Sequence, residues 1–269
     1  MEVDLMLIVG ERINSTRESI AKAIGEQNVA FIQQEARQQA EAGAEYIDIN
    51  SGALLSEETK YLTWLVEIVQ DIVDKPLCID TGNAEALEAA LKLCKKRAMV
   101  SSISAEKKRY DLFLPLIKQY GCNMVALCVD DSGIPPTAEG RVRVADSLIN
   151  SLISDGIALQ DIYLDCLAQS VGTDSKAGVV TIETIRQVMT GHPGVHTIIG
   201  LSNVSFSLPI RRLINQSFAV LCLGVGLDAA ILDPTNKNLM ANILAAKALL
   251  GQDKYCTNYI KAYRAGKLE

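Results

Sequence analysis

PLCIDTGN (residues 76–83) is a short apolar run that stops at a carboxylate. Leu77, Cys78 and Ile79 read as a buried strand, and Asp80 follows them directly. The next segment, AEALEAALKLCKK (84–96), is rich in Ala and Leu and reads as a helix. A strand closed by a polar residue and followed by a helix is thus one unit, and the unit recurs. Strand-like runs fall at 5–11, 46–50, 76–80, 97–104, 123–130, 162–167, 196–203 and 227–233. Helical spacing of apolar residues falls between and after them, at 18–42, 59–73, 84–96, 110–121, 138–157, 181–191, 209–226 and 238–251. Pro115 predicts either a kink in the fourth of these helices or its true start.

Eight β/α units without a linker or low-complexity stretch predict an α/β fold, a (β/α)₈ TIM barrel, with residues 1–269 forming one domain. The alternative is an open doubly wound sheet. That fold usually carries a Gly-rich first turn, and VGERINSTRES (9–19) has none.

Composition narrows the function. The chain is 49% hydrophobic and 22% charged, enough apolar material for a large core. Its seven Cys lie mostly inside apolar runs with no CxxC, and its two His, His192 and His196, stand together in GHPGVH. Neither a zinc site nor a His-based triad is supplied, so the expectation is that the chain binds no metal. A net charge of −6, no basic stripe and few aromatics argue against nucleic acid. No run reaches the roughly 18 apolar residues of a membrane span, and the N-terminus lacks a secretory pattern. A cytoplasmic protein with reduced thiols is expected.

In a TIM barrel the active site lies where strands enter the βα loops. Those ends carry Glu11, Asp48 with Asn50, Asp80, Ser101 with Ser102, Asp130 with Asp131, Asp165, Ser202 with Asn203, and Asp233. Each residue type is also a good helix N-cap or turn former, and Asp130-Asp131 before SGIPP reads as a turn. Asp80 and Asp165 are different, because each directly follows three apolar strand residues. A carboxylate on the rim itself is partly desolvated and needs donors. No basic residue shares a strand end except Arg12. The two Asp are therefore expected to await a ligand with paired N–H donors, such as a pterin's amino group beside its ring N–H.

GERIN (10–14), IDIN (47–50), PLCIDTGN (76–83), CKKRAMVSSISAE (94–106), IYLDCL (162–167), GLSNVS (200–205), RRLIN (211–215) and GLDAAILD (226–233) stand in one order along nearly the whole chain. In this the chain resembles the pterin-binding methyltransferases. The stand-alone methyltetrahydrofolate:corrinoid protein methyltransferases are the nearest in look. The folate-binding part of cobalamin-dependent methionine synthase and dihydropteroate synthase are more distant. The resemblance implies that Asp80 and Asp165 hold the pterin ring, and that Asn203 is catalytic, approaching the nitrogen-5 that carries the methyl group. It places Gly200 and Ser202 in the same pocket. Where the family has an Asn after the fourth strand, this chain has Ser101, one hydroxyl in place of a carboxamide.

The implied reaction is methyl transfer between tetrahydrofolate and a corrinoid cobalt. A DxHxxG corrinoid signature is absent, so a partner corrinoid protein or free cobalamin must bring the cobalt. Homodimerisation is implied by resemblance. Arg211 opens the helix after strand seven and is expected either to meet an anion, on the folate tail or the partner, or to be a solvated helix start. Two directions are open. One hands methyl from methyltetrahydrofolate to a corrinoid iron–sulfur protein for acetyl-CoA synthesis. The other takes methyl from a methylcorrinoid to tetrahydrofolate in demethylation, and the Ser101 departure tilts the expectation that way. Dihydropteroate synthase is an alternative, but its characteristic loops are replaced by ERINSTRES, LAQSVGTDSK and LSNVSFSLP. A non-catalytic folate-binding subunit is another alternative, and it would have no need of Asn203.

Overall fold

The computed structural model describes residues 6–268, apart from the side chains of Leu55 and Ser56. Leu5, the first residue of the expected first strand, lies with the rest of 1–5 outside the described residues.

Eight strands form one parallel sheet: β1 (Leu7–Asn14), β2 (Tyr46–Asn50), β3 (Leu77–Asp80), β4 (Met99–Ser104), β5 (Asn123–Leu127), β6 (Ile162–Asp165), β7 (His196–Ile198) and β8 (Ala229–Leu232). Their order is β7-β6-β5-β4-β3-β2-β1-β8. The seam between β7 and β8 is narrow. Ile231 N–H donates to the Ile199 carbonyl over 2.9 Å, and Gly200 bridges Ile231, which brings the sheet round into a barrel. The expected (β/α)₈ architecture is present.

The helices are α1 (Glu18–Gly25), α2 (Val29–Glu41), α3 (Glu58–Gln70), α4 (Ala84–Leu93), α5 (Lys107–Tyr120), α6 (Ala138–Ser154), α7 (Ala177–Gly191), α8 (Arg211–Gly224), α9 (Lys237–Leu249) and α10 (Thr257–Arg264). Three differ from the sequence reading. The expected single helix over 18–42 is broken in two. Gln27 turns left-handed at φ 49°, and the Asn28 side chain accepts the Phe31 N–H to start α2 afresh. Helix α5 begins before Pro115 and runs through it, so Pro115 does not mark its start. The last helix, α10, was not expected. Asp253 opens it by accepting the Asn258 and Tyr259 N–H groups.

Two apolar clusters divide the strand residues by face. The larger, including Ile8, Ile47, Ile79, Val100, Met124 and Leu164, packs against the helices. The smaller holds one residue from each strand: Val9, Tyr46, Cys78, Met99, Val125, Tyr163, Ile198 and Ala229. Successive strand side chains point to opposite faces, so this second ring fills the barrel interior.

Gly10 carries a close approach. A Cβ there would lie 2.5 Å from Gln39 Oε1 and 3.3 Å from Ala44 Cβ. Gln39 is fully buried and cannot simply swing away, because its Oε1 accepts the Arg12 N–H at 2.9 Å. Gly10→Ala is therefore expected to lose about 1–3 kcal/mol in urea unfolding, as overpacking does. An unchanged midpoint and slope would show that α2 gives way freely.

Candidate active site

Two residues further along, the interior ring turns polar on five strands and reaches glycine after β7, while β5 and β8 continue with the apolar Leu127 and Ile231. The step of two takes Val9 to Glu11, Tyr46 to Asp48, Cys78 to Asp80, Met99 to Ser101, Tyr163 to Asp165 and Ile198 to Gly200. Asp80 stands opposite Ser101 in the β3–β4 register, and Asp165 stands opposite Leu127 in β5–β6. Asp130 is not part of this ring. Strand β5 ends at Leu127, and Asp130 accepts the Ser132 N–H at 2.9 Å in the turn expected for it.

Asp80 Oδ2 accepts a hydrogen bond from Asn50 Nδ2 at 2.9 Å. Burial pushes its carboxyl above the usual range, while the Asn50 bond and the nearby Arg109 charge pull it back. Asp165 Oδ1 accepts the Leu167 N–H at 2.7 Å. Burial pushes it up to about 6, against the pull of that bond and of Arg141. Asp48, one strand from Asp80 and 3% exposed, is raised well above its ordinary value by burial and then by the Asp80 charge. It belongs with the site, though the sequence reading gave it only a strand-end place.

The expectation that these carboxylates lack a protein cation needs correcting. Arg109 lies near Asp80, and Arg141 lies near Asp165. Yet neither Arg forms an ion pair with its Asp among the described residues. Arg109 Nε donates to the Ser102 carbonyl at 2.7 Å, and Arg141 Nη1 donates to the Cys166 and Leu167 carbonyls at 2.9 and 2.6 Å. Arg12 is engaged elsewhere, pairing with Glu35 at 2.6 Å and Asp233 at 2.9 Å. Asp233 is thereby engaged by Arg12, although its charge still acts on Glu11.

Ser101 and Ser102 are buried and joined by a cis peptide bond, but they lie within β4, which runs on to Ser104, and not at its end as expected. Gly200, Ser202 and Asn203 come together after β7, on a 3₁₀ turn (Leu201–Ser205) where the sequence reading extended the strand. Asn203 is exposed, and its side chain makes no hydrogen bond to another described residue. A Cβ on Gly200 would sit 3.0 Å from Asn203 Nδ2, so glycine leaves room for that carboxamide. Ser202 Oγ donates to Glu11 Oε1 at 2.5 Å. Burial pushes Glu11 up to about 7, with Ser202 the largest opposing influence. Arg211 is exposed but not merely solvated. Its Nη2 donates to the Ser202 carbonyl at 2.5 Å and its Nε to Ser205 Oγ at 3.0 Å. Among the described residues no group of three or more His, Cys, Asp or Glu is placed to hold a metal ion. Among the same residues no helix is long and apolar enough to cross a membrane.

The mouth of this parallel barrel thus carries desolvated carboxyls and an unengaged carboxamide. The pterin binding enzyme family matches residues 10–233, and the chain belongs to that family. It is 39% identical over 268 residues to the methylcorrinoid:tetrahydrofolate methyltransferase of Eubacterium limosum, covering 98% of each chain. It is 30% identical over 242 residues to methionine synthase of Mycobacterium leprae, which spans 84% of this chain but 20% of that protein. Dihydropteroate synthase from Xanthomonas albilineans, solved with 7,8-dihydropteroate, superposes with a TM-score of 0.74 at 18% identity, covering 93% of this chain and 95% of that one. This last likeness concerns the fold.

The raised carboxyls have a consequence for stability. Asp165 has a folded pKa of about 6, above its ordinary 3.8. Between those values the folded chain holds the proton more tightly than the unfolded chain, so Asp165 destabilises the fold increasingly as pH rises through that window. Each unit of displacement is worth about 1.4 kcal/mol. Asp165→Asn should therefore gain stability relative to the unsubstituted chain between pH 4 and pH 7, read as a difference in thermal midpoints. A constant difference across that range would show that the carboxyl is not desolvated.

Proposed function

We propose that this chain is a methyltransferase that moves a methyl group between nitrogen-5 of tetrahydrofolate and the cobalt of a corrinoid. The observation that carries the reading is the pair Asp80 and Asp165, interior carboxyls that accept a few neutral donors and pair with no cation among the described residues. A pterin edge offers an amino group beside a ring N–H, and two parallel donors satisfy a carboxylate much as a guanidinium does. Ser101, in register with Asp80, adds a hydroxyl on the same rim. Gly200 and Ser202 shape the wall beside nitrogen-5, and Asn203 is the catalytic side chain.

The chemistry is an in-line displacement. When methyl moves to folate, the carbon–cobalt bond breaks with its electron pair remaining on cobalt. Nitrogen-5 uses its lone pair to form the new bond and then releases its proton to water. In reverse, nitrogen-5 is the leaving group and must gain a proton or a strong hydrogen bond. Charge changes at nitrogen-5 in both directions: as it attacks and turns positive, a carboxamide oxygen accepting its N–H stabilises the transition state, and as it leaves with its electron pair, a carboxamide N–H donating to it does so. The free Asn203 carboxamide suits that task. The remaining residues position the ring.

The cobalt arrives on a partner corrinoid protein, or as free cobalamin. We favour transfer from methylcorrinoid to tetrahydrofolate. Support comes from the name of the Eubacterium limosum relative, to which the chain is similar end to end, and from Ser101 standing where the wider family has Asn. The whole chain, 1–269, works as one cytoplasmic domain and pairs as a homodimer. The dimer draws support from Leu213 and Leu221 on α8 and Leu249 ending α9, all highly exposed apolar side chains. Arg211 has a further role to the extent that the guanidinium nitrogen not used on the turn meets an anion of the folate tail or the partner.

Binding and chemistry separate by mutation. Asp165→Asn and Asp80→Asn should each weaken tetrahydrofolate binding by roughly 1.5–3 kcal/mol in calorimetry. Unchanged affinity would make the carboxyls structural.

Asn203→Ala should instead lower the single-turnover rate of methyl transfer from methylcobalamin about a hundredfold, followed in the cobalamin spectrum, with a much smaller effect on affinity. A variant whose affinity falls a hundredfold at an unchanged saturated rate would make Asn203 a binding residue.

A further inference from the structure

Glu11 is the one carboxyl of the polar ring that reaches across the barrel seam. It stands on β1, and its hydrogen-bond partner Ser202 follows β7, with β8 between them in the sheet. That seam is otherwise thin at the mouth, resting on the Ile231–Ile199 bond and the Gly200–Ile231 bridge. The turn that carries Asn203 is held at two points on either side of the Ser202 backbone. Glu11 takes the Ser202 hydroxyl from the barrel interior, and Arg211 takes the Ser202 carbonyl from α8. Asn203 itself is tied to this frame only through its backbone, with its N–H on the Gly200 carbonyl at 3.2 Å and its carbonyl accepting the Phe206 N–H at 3.1 Å. The direction of its carboxamide thus depends on where Ser202 sits.

We propose that Glu11 is a positioning residue: through the Ser202 hydroxyl it fixes the turn that presents Asn203, and so sets the rate of methyl transfer without contacting the folate. The inference rests on the reading of Asn203 given above. A displacement of about 1 Å at a reacting group is enough to cost a hundredfold in rate, so a single clamp has leverage. The clamp is also sensitive to pH. Burial brings Glu11 to about 7, where it faces Ser202, Arg17, Asp233 and Arg211, and its charge also acts on Asp48. Charged Glu11 accepts a charge-assisted bond from Ser202, and protonated Glu11 loses that charge and its attraction to the two Arg. The turn is held more tightly above neutrality than below it.

Four proteins test this: Glu11→Ala, Ser202→Ala, the double variant and Glu11→Gln. Each is measured for tetrahydrofolate affinity, for single-turnover transfer from methylcobalamin between pH 6 and 8, and for amide hydrogen exchange over residues 201–206. Either alanine variant should slow saturated transfer about tenfold and speed exchange in the turn, while affinity changes less than about threefold. The double variant should be no slower than the worse single one, because both remove one bond. Glu11→Gln still accepts from Ser202. It should recover most of the alanine loss and flatten the acid-side fall in rate. The proposal is overturned by additive losses, by affinity falling as far as rate, by unchanged exchange in the turn, or by a Glu11→Gln pH profile like that of the unsubstituted chain. If the unsubstituted chain transfers no methyl group, the functional reading fails, and the exchange measurement still decides whether Glu11 holds the turn.

Discussion

Carboxyl groups held inside a closed parallel barrel are the constraint on which the mouth of this molecule depends. Parallel strands alternate their side chains strictly, so one interior layer cannot be chosen without the next. An apolar ring from Val9 to Ala229 closes the barrel below. The following layer is forced into the same interior, with a dry floor beneath it, and this chain fills much of it with Glu11, Asp48, Asp80 and Asp165. Burial is the largest influence on all four, and it raises all four. The site is thus a set of acceptors removed from water and short of donors, which is a destabilising arrangement until a ligand supplies them.

The cations nearby are arranged so that they do not relieve it. Arg109 and Arg141 lie close enough to lower the Asp80 and Asp165 carboxyls, yet they donate to main-chain carbonyls instead, Arg109 to Ser102 within β4 and Arg141 to Cys166 and Leu167 just past β6. A direct ion pair would occupy the carboxylate edge that a planar donor needs. Arg12 is drawn away by Glu35 and Asp233. Positive charge therefore supports the site from behind while the acceptor edges stay available. This arrangement fits a neutral, donor-rich heterocycle better than a cation.

The turn after β7 follows a different logic. Asn203 does not sit on a strand but on a short turn, and its carboxamide is free among the described residues. In the proposed reaction, a group that meets nitrogen-5 as its charge changes gains from being unengaged beforehand, provided that its backbone is held. Glycine at 200 leaves the space, and Glu11 and Arg211 hold the turn. On the proposed reading, binding of the ring falls to strand carboxyls and stabilisation of the changing charge to a turn residue.

The architecture was legible in the sequence because an apolar run ending in a polar residue is a local pattern, and eight repeats of it leave few ways to bury the strands. The strand-end position of Asp80 and Asp165 was legible for the same reason. Glu11 and Asp48 were visible as strand ends, but nothing local ranked them, since desolvation is set by what the other strands place above and below. The Arg residues show the limit most clearly. Arg109, Arg141 and Arg211 all stand in the first turn of a helix, where a positive charge opposes the helix dipole. The sequence reading draws on that signal only for Arg211. Helix starts face the mouth in this fold, so the other two carried the same hint, but which carbonyls they would reach was fixed only by the packing of α5 and α6 against the barrel. The break at Gln27 and the turn at Leu201 escaped for a related reason: periodicity reports which face is apolar and is blind to a local change of backbone direction. The sequence by itself determined the alternation of strand and helix and the residues at each strand's end. Only the tertiary structure decided which of those residues lose water and which cations stand behind them, because desolvation and charge act across space between segments far apart in the chain.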